Sequence, residues 1–272
     1  MLTRRRERRQ PELLRKTPYM TNPIIEFRQV EYQISTISSQ PILSGVSLRI
    51  HRGETIALLG RSGSGKTTLL KLINGLRRVS SGAVLVEDRD VREWDVIRLR
   101  RGIGYVIQET GLFPHLTVRE NVCLVPHLEN WPGDRISARY VEVLQSVGLS
   151  PSLYSQRYPR ELSGGQRQRV GVARALAADP EILLMDEPFG ALDPVTRAEL
   201  QREFLALRRN LAKTVVFVTH DVREALLLAT RVVLLDAGRI IAEAAPQEFV
   251  RLGHPVAREF LAAAELTAGA PA

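Results

Sequence analysis

An α/β fold built on a largely parallel sheet is the architecture this sequence predicts, and three observations predict it. Strand-like and helical patterns alternate along the 272 residues. A glycine-rich stretch, Gly60-Arg61-Ser62-Gly63-Ser64-Gly65-Lys66-Thr67-Thr68, joins the apolar run Thr55–Leu59 to the helically spaced run Leu69–Asn74. Ile182-Leu183-Leu184-Met185 is a continuous apolar run, the pattern of a strand covered on both faces. With 44% hydrophobic and 25% charged residues, the chain can bury a substantial core as one large domain, or as one domain with a sizeable insertion.

The chain opens on a basic arm, residues 1–22, read as disordered. Its first sixteen residues carry +5 of the total charge of +8, through Arg4, Arg5, Arg6, Arg8, Arg9, Arg15 and Lys16 against Glu7 and Glu12. The isoelectric point near 10.1 therefore reflects one segment and does not by itself indicate nucleic-acid binding. Ile24–Val30 and Ile42–Ile50 read as strands, the second ending at the His51-Arg52-Gly53 turn, and Ser81-Gly82 opens a third over Ala83–Val86. These segments flank the glycine-rich loop and predict a small antiparallel sheet beside the main one. Ile103–Ile107 is a short apolar strand ending at Gln108.

From Gln108 to about Ala178 the pattern turns helical. Thr117 and Glu120 have capping-box spacing, and Val141, Val143, Leu144 and Val147 mark an amphipathic helix closed by Gly148. The α/β pattern resumes at Ile182. Asp193-Pro194 starts a helix with Leu200, Phe204, Leu207 and Leu211 as its buried stripe. Val215–Val218 is the next strand, and Asp221 to Glu224 reads as an acidic capping box for the helix after it. Val232–Leu235, the Ala237-Gly238 turn and Ile240-Ile241 form a closing hairpin. Residues 253–272 are a tail, helix-prone and then rich in Pro and Ala.

The loop at residues 60–68 fits the phosphate-binding pattern G-x-x-x-x-G-K-[ST] in its required setting between strand and helix. Glycines let backbone N–H groups turn inward onto phosphate oxygens, and the helix N-terminus adds partial positive charge. Lys66 reaches the β- and γ-phosphates, and Thr67 holds Mg²⁺, so the stretch predicts a nucleoside triphosphate site. Asp186 and Glu187 follow the apolar strand, beyond whose end ligands of open α/β sheets lie. There Asp186 can position Mg²⁺ and Glu187 can orient or deprotonate the water that attacks the γ-phosphate. His220 ends the next strand, where a side chain can reach the γ-phosphate. Leu162-Ser163-Gly164-Gly165-Gln166 has capping-box form, and its two glycines leave a second helix N-terminus uncovered for an anion. The one cysteine, Cys123, excludes an internal disulfide framework and reads as a small buried residue. No apolar run reaches the ~18–20 residues of a membrane span, so a membrane role requires a partner.

These motifs, in this order and approximate spacing, resemble the ATP-binding subunits of ABC transporters over about residues 24–250. The resemblance implies a P-loop NTPase with a RecA-like core, an antiparallel β subdomain and an α-helical subdomain (about 108–178) inserted in an ATP-binding domain over 23–252. It implies ATP and Mg²⁺, with Thr67 and Asp186 at the metal and Gln108 contacting either the metal or the attacking water. It further implies a homodimer with ATP sandwiched between Gly60–Thr68 of one chain and Leu162–Gln166 of the other, with Asp193 communicating across the dimer and His220 sensing the γ-phosphate. The helical subdomain would dock permease subunits near Gln108. Family members stack an aromatic ring on adenine; the matching position is Ile34, which leaves Tyr32 as the nearest aromatic candidate.

Gly111 to Val122, Leu124-Val125-Pro126, Trp131, Arg157–Glu161 and Phe189–Arg197 look closest to the ATPases of glycine betaine, choline and osmoprotectant uptake systems. That likeness implies a peripheral subunit at the cytoplasmic face of a bacterial inner membrane, served by a permease and a periplasmic or lipid-anchored solute-binding protein. An importer for another solute, such as an amino acid, is the alternative. A soluble ABC ATPase acting on nucleic acid or ribosomes fits less well, because Gln108 to Ser163 is too short for a coiled-coil arm, and no nucleic-acid partner is expected.

Overall fold

In the computed structural model the described residues are 22–34, 40–108, 111–190, 192–211 and 213–265. The basic arm before Asn22, Ala191 and the end of the tail lie outside them.

Two sheets organise the chain. The smaller is antiparallel, in the order β2-β1-β4-β5, from β1 (Ile25–Tyr32), β2 (Leu43–Ile50), β4 (Ser81–Val86) and β5 (Arg89–Asp90). The larger has six strands in the order β10-β9-β3-β8-β7-β6. Its parallel members are β3 (Thr55–Gly60), β6 (Ile103–Val106), β7 (Ile182–Asp186), β8 (Thr214–Thr219) and β9 (Arg231–Asp236), and β10 (Arg239–Ala244) adds the antiparallel edge as the predicted hairpin. Every residue of β3, β7 and β8 is buried, as continuous apolar runs require.

The period of two divides each central strand between two cores. Ile56, Leu58, Leu184, Val216 and Val218 face the antiparallel sheet and α1 (Lys66–Ile73). Ala57, Leu59, Leu183, Met185, Val215 and Phe217 face a second core built from helices. Those helices include α3 (Val118–Leu128), α4 (Gly133–Ser146), α6 (Gly164–Leu176), α7 (Pro194–Leu211) and α8 (Val222–Leu228). On α1, Leu69, Leu70, Leu72 and Ile73 are all buried, each worth about 1.5–3 kcal/mol of transfer free energy. Gly238, in the β9–β10 turn at φ +77°, donates its N–H to Ser64 O at 3.2 Å and accepts Ser44 N–H at 2.9 Å. A Cβ there would sit 2.4 Å from Ile42 O, so only glycine lets this turn press on both sheets.

Several local expectations need correction. On α4 the buried stripe is Ile136, Tyr140, Val143 and Leu144, while Val141 is exposed: spacing by three and four sets the face, and Val141 lies off it. Asp221 caps α8 by accepting from Arg223 N–H at 2.8 Å, but no capping box forms, because Glu224 is buried and turned toward Thr219 and Gln201. The strand β5 and the helix α2 (Val96–Gly102, capped by Asp95) carry no sequence expectation; β5 has only two residues, too few for a pattern. The predicted stripe on α7 holds at Leu200 and Phe204, and the side chains of Leu207 and Leu211 fall outside the described set. The helix-prone start of the tail forms α10 (Pro255–Ala263), which buries Ala257 and Leu261 in the helical core, and its Glu259 pairs with Arg61. Cys123 is buried, its thiol pushed up to about 11 by burial.

Candidate nucleotide site

Parallel register sets where the site falls. β3, β8, β7 and β6 run the same way, with Leu59 opposite Thr219, Asp186 opposite Val218 and Val106 opposite Met185. Their C-terminal ends therefore deliver Gly60, His220, Asp186-Glu187 and Gln108 to one edge of the sheet. The chain leaves β3 into the glycine-rich loop and enters α1 through Gly65, whose φ of +100° and closeness to Leu43 exclude a side chain: a Cβ would lie 2.6 Å from Leu43 Cδ2.

Arg61, Ser62 and Gly63 are exposed, whereas Ser64, Gly65 and Lys66 are buried and Thr67 and Thr68 half-buried. Lys66 Nζ donates to Gly60 O and Arg61 O, both at 2.8 Å, so the ammonium lies inside the curl of the loop. Burial lowers its pKa, with the charges of Glu187 and Asp186 acting in the opposite direction. Ser64 Oγ is buried without a hydrogen-bond partner among the described residues. Thr67 Oγ1 donates to Asp186 Oδ1 at 2.7 Å. Burial raises the Asp186 pKa, and the Thr67 bond works against that rise. The Tyr105 phenol, facing the same core as Leu184 and close to Asp186, is raised by burial and then by the Asp186 charge.

Glu187 leaves the sheet abruptly. Its φ of +46° is unusual for a residue with a side chain, and its N–H turns to Val218 O at 3.2 Å. That turn swings the carboxylate between two partners: Gln108 Nε2 donates to Glu187 Oε2 at 3.2 Å, and His220 Nδ1 lies 3.6 Å from the same oxygen. Hard oxygen donors from Thr67 and Asp186 therefore stand beside the lysine-lined loop, with Gln108 one contact further on. Among the described residues no cluster of three or more His, Cys, Asp or Glu could hold a metal alone. Mg²⁺ fits such a donor set, since it is commonly held by one or two protein groups together with substrate phosphates.

The remaining sites lie apart from this edge. Ser163 accepts Gln166 N–H at 3.2 Å while Gln166 Oε1 accepts Ser163 N–H at 3.0 Å, so the capping box forms at the start of α6. Leu162 is buried, and Ser163 and Gly164 face solvent. The two glycines differ in kind. A Cβ at Gly164 would meet nothing nearer than 3.9 Å, but one at Gly165 would lie 2.4 Å from Thr196 Cγ2 on α7. Only Gly164 leaves the helix end open; Gly165 is there because α7 packs against it. Asp193 Oδ1 accepts from Val195 N at 3.1 Å and Thr196 N at 3.0 Å, capping α7, and its bond with the Thr196 side chain and then these backbone bonds lower its pKa. Tyr32 is a core residue: it is buried, and its hydroxyl accepts from Arg77 Nη1 at 3.1 Å, so its ring has no free face for adenine. Ile34, the position matching the family's aromatic, packs partly buried on the same core.

Sequence reasoning gave no role in the site to Tyr105, Arg197, Thr219 or Glu224, which stand around this edge. Strand period could have put Tyr105 on one face, but only the β6–β7 register places it level with Leu184.

The family model described as ABC transporter matches residues 43–190. The chain is 52% identical over 209 residues to the glycine betaine/carnitine/choline transport ATP-binding protein OpuCA of Bacillus subtilis, covering 77% of this chain and 55% of that one. It is 46% identical over 244 residues to the glycine betaine uptake system ATP-binding protein YehX of Escherichia coli, covering 89% and 78%. It thus spans about half the length of the Bacillus and Listeria relatives it matches. Among solved structures, the dimeric post-hydrolysis state of the ATP-binding cassette MJ0796, bound to ADP and Pi, superposes with a TM-score of 0.73 at 33% identity, covering 82% of this chain and 98% of that one.

Proposed function

The chain belongs to the ABC transporter family, and from that premise we propose that it is the ATP-hydrolysing subunit of a bacterial importer, energising uptake of a quaternary-ammonium osmoprotectant. The observation that carries the hydrolytic reading is the Glu187 carboxylate held between Gln108 and His220, beside the Thr67–Asp186 pair at the mouth of the phosphate loop. Lys66 and the loop backbone bind the phosphates. Glu187 orients a water and takes up its proton as the water attacks the γ-phosphate, and Gln108 and His220 fix the carboxylate through one of its oxygens, which leaves the other for the water. Thr67 and Asp186, with Gln108, are the residues that would hold Mg²⁺, which neutralises phosphate charge when bound.

On this reading two copies close on two ATP molecules, with Leu162–Gln166 of one copy over the loop at 60–68 of its partner and Asp193 at the junction. The solvent-facing Ser163 and Gly164 support that role, since a helix N-terminus without a covering side chain suits a phosphate. Closure would pull on permease subunits docked beside the helical segment that follows Gln108. The chain would then work at the cytoplasmic face of the membrane through those partners; among the described residues no helix is long and apolar enough to cross it. The solute reading is supported by the likeness to OpuCA and YehX.

Glu187→Gln tests the hydrolytic reading. The variant should bind ATP with Mg²⁺ and lose at least ~100-fold in kcat, the scale of a general base; wild-type turnover would refute it. The solute is tested by isolating the tagged chain from its native membrane and titrating the solute-binding protein that accompanies it. Binding of glycine betaine or choline supports the reading, and binding of an amino acid or an inorganic anion instead refutes it.

A further inference from the structure

We infer that Glu224 and Arg197 are positioning residues that lock the His220 segment against the Glu187 segment and so set the geometry of the hydrolytic pair. This inference rests on the reading of Glu187 and His220 given above. Thr219, the last residue of β8, uses its hydroxyl twice: Oγ1 accepts Asp221 N–H at 3.0 Å and donates to Glu224 Oε2 at 2.6 Å. The two bonds bracket His220, tying the backbone on both sides of it to one carboxylate. Glu224 is itself buried and takes a further bond from Gln201 Nε2 on α7, at 3.1 Å.

One turn earlier on α7, Arg197 holds the other segment. Its Nη2 donates to Leu192 O at 3.2 Å and reaches Gly190 O at 3.5 Å. Gly190 N–H in turn donates to Glu187 O at 3.2 Å, so Arg197 grips the far end of the turn that carries the catalytic carboxylate. Between these two grips lies a small cavity lined by Glu187, Gly190, Arg197, His220 and Glu224. Arg197 Nε is buried there with no hydrogen-bond partner among the described residues. Burial raises the Glu224 pKa, and the Arg197 charge is among the influences that oppose the rise. A buried acid and an incompletely paired guanidinium cost stability. Among the described residues their side-chain hydrogen bonds lead to the two segments that carry Glu187 and His220 and to α7, which is the arrangement expected of groups that place those segments.

The test uses the full chain with MgATP, measuring kcat, nucleotide affinity and Tm for Thr219→Val, Glu224→Gln and Glu224→Ala, each alone and combined with His220→Ala. Thr219→Val keeps the branched shape and deletes only the hydroxyl, so it remains informative should Glu224→Ala unfold. Thr219→Val and Glu224→Ala should lose at least about tenfold in kcat, as expected for a misplaced catalytic group, with nucleotide affinity within about twofold. Glu224→Gln, which keeps an acceptor for Thr219, should recover to within about threefold of wild type. In the His220→Ala background the further loss should shrink below about threefold, because the group being placed is gone. Equal losses in both backgrounds, or wild-type kcat in Thr219→Val, would overturn the inference. If Glu187→Gln is inactive while Thr219→Val is unimpaired, only the positioning role fails; if Glu187→Gln turns over like wild type, both readings fail.

Discussion

Gly164 and Gly165 are neighbours in one helical turn, yet alanine at each should do opposite things. Both substitutions recover helix propensity, at most about 1 kcal/mol and less so near close to the helix start. Gly164→Ala adds its methyl to open space, where the nearest atoms are 3.9 Å away. Gly165→Ala puts its methyl 2.4 Å from Thr196 Cγ2, more than 1 Å inside the ~3.5–4.0 Å separation of carbon atoms in contact. Relief has two routes. If α6 and α7 shift apart, overpacking costs about 1–3 kcal/mol. If the Thr196 methyl rotates away, its hydroxyl gives up the bond to Asp193, a loss of about 0.5–1.5 kcal/mol.

The cheaper route governs, so Gly165→Ala should be about 0.5–1.5 kcal/mol less stable than Gly164→Ala, a gap of roughly 1–6 °C in Tm for a chain of this size. Thermal and urea unfolding of the two variants measure that gap, and Thr196→Ser, which deletes the offending methyl, should close it. Activity should split the other way. Gly164→Ala, though stable, covers the helix end proposed to face the partner's nucleotide and should lose turnover. Equal stabilities of the two variants, or a gap that survives Thr196→Ser, would refute the packing account of Gly165.

Thr67→Val removes the hydroxyl that pairs with Asp186, so Mg²⁺ dependence of nucleotide binding should weaken at least about tenfold, while Thr67→Ser retains it; an unchanged Mg²⁺ titration in Thr67→Val would contradict the metal reading. Asp186→Asn should abolish turnover yet raise stability at pH 8, because burial lifts the native carboxyl above its unfolded pKa and makes the ionised form unfavourable. The sign follows: the native protein holds the proton more tightly, so this contribution is favourable at low pH and is lost as pH rises through the raised native value. The advantage of the amide should therefore fade on acidification, and Tm measured against pH checks it. Tyr32→Leu should lower Tm and leave ATP affinity within about twofold, whereas loss of a ring–base stack would cost about 1–3 kcal/mol of binding.

Much of this molecule was legible because its signals are local. The P-loop needs only a strand, a run of glycines and a helix, and the capping boxes at Thr117 and Ser163 need only four residues each. The acidic box at Asp221 has the same local form but does not close. Burial beside Thr219 and Gln201 gave Glu224 better partners than its own N-cap, and those partners come from other elements. Likewise the residue type of Tyr32 suits adenine stacking, but the Val30 and Tyr32 side of β1 turns into the core, a fact of register. Gly165 shows the same lesson. Its spacing suggested an open helix end, and only α7, packed across it, reveals a steric reason.

The Gly238 turn has a consequence for how the protein is made. Ser64 is fixed by a bond from a residue more than 170 positions further along the chain, and a Cβ on Gly60 would strike Leu235 O, so β9 walls the loop on that side. A ribosome that has finished α1 has made every residue of the phosphate loop but none of the hairpin that braces it. Contacts this remote form late and slowly. The growing chain therefore carries this loop without its β9–β10 brace for most of its synthesis, and gains it only when the hairpin emerges and docks.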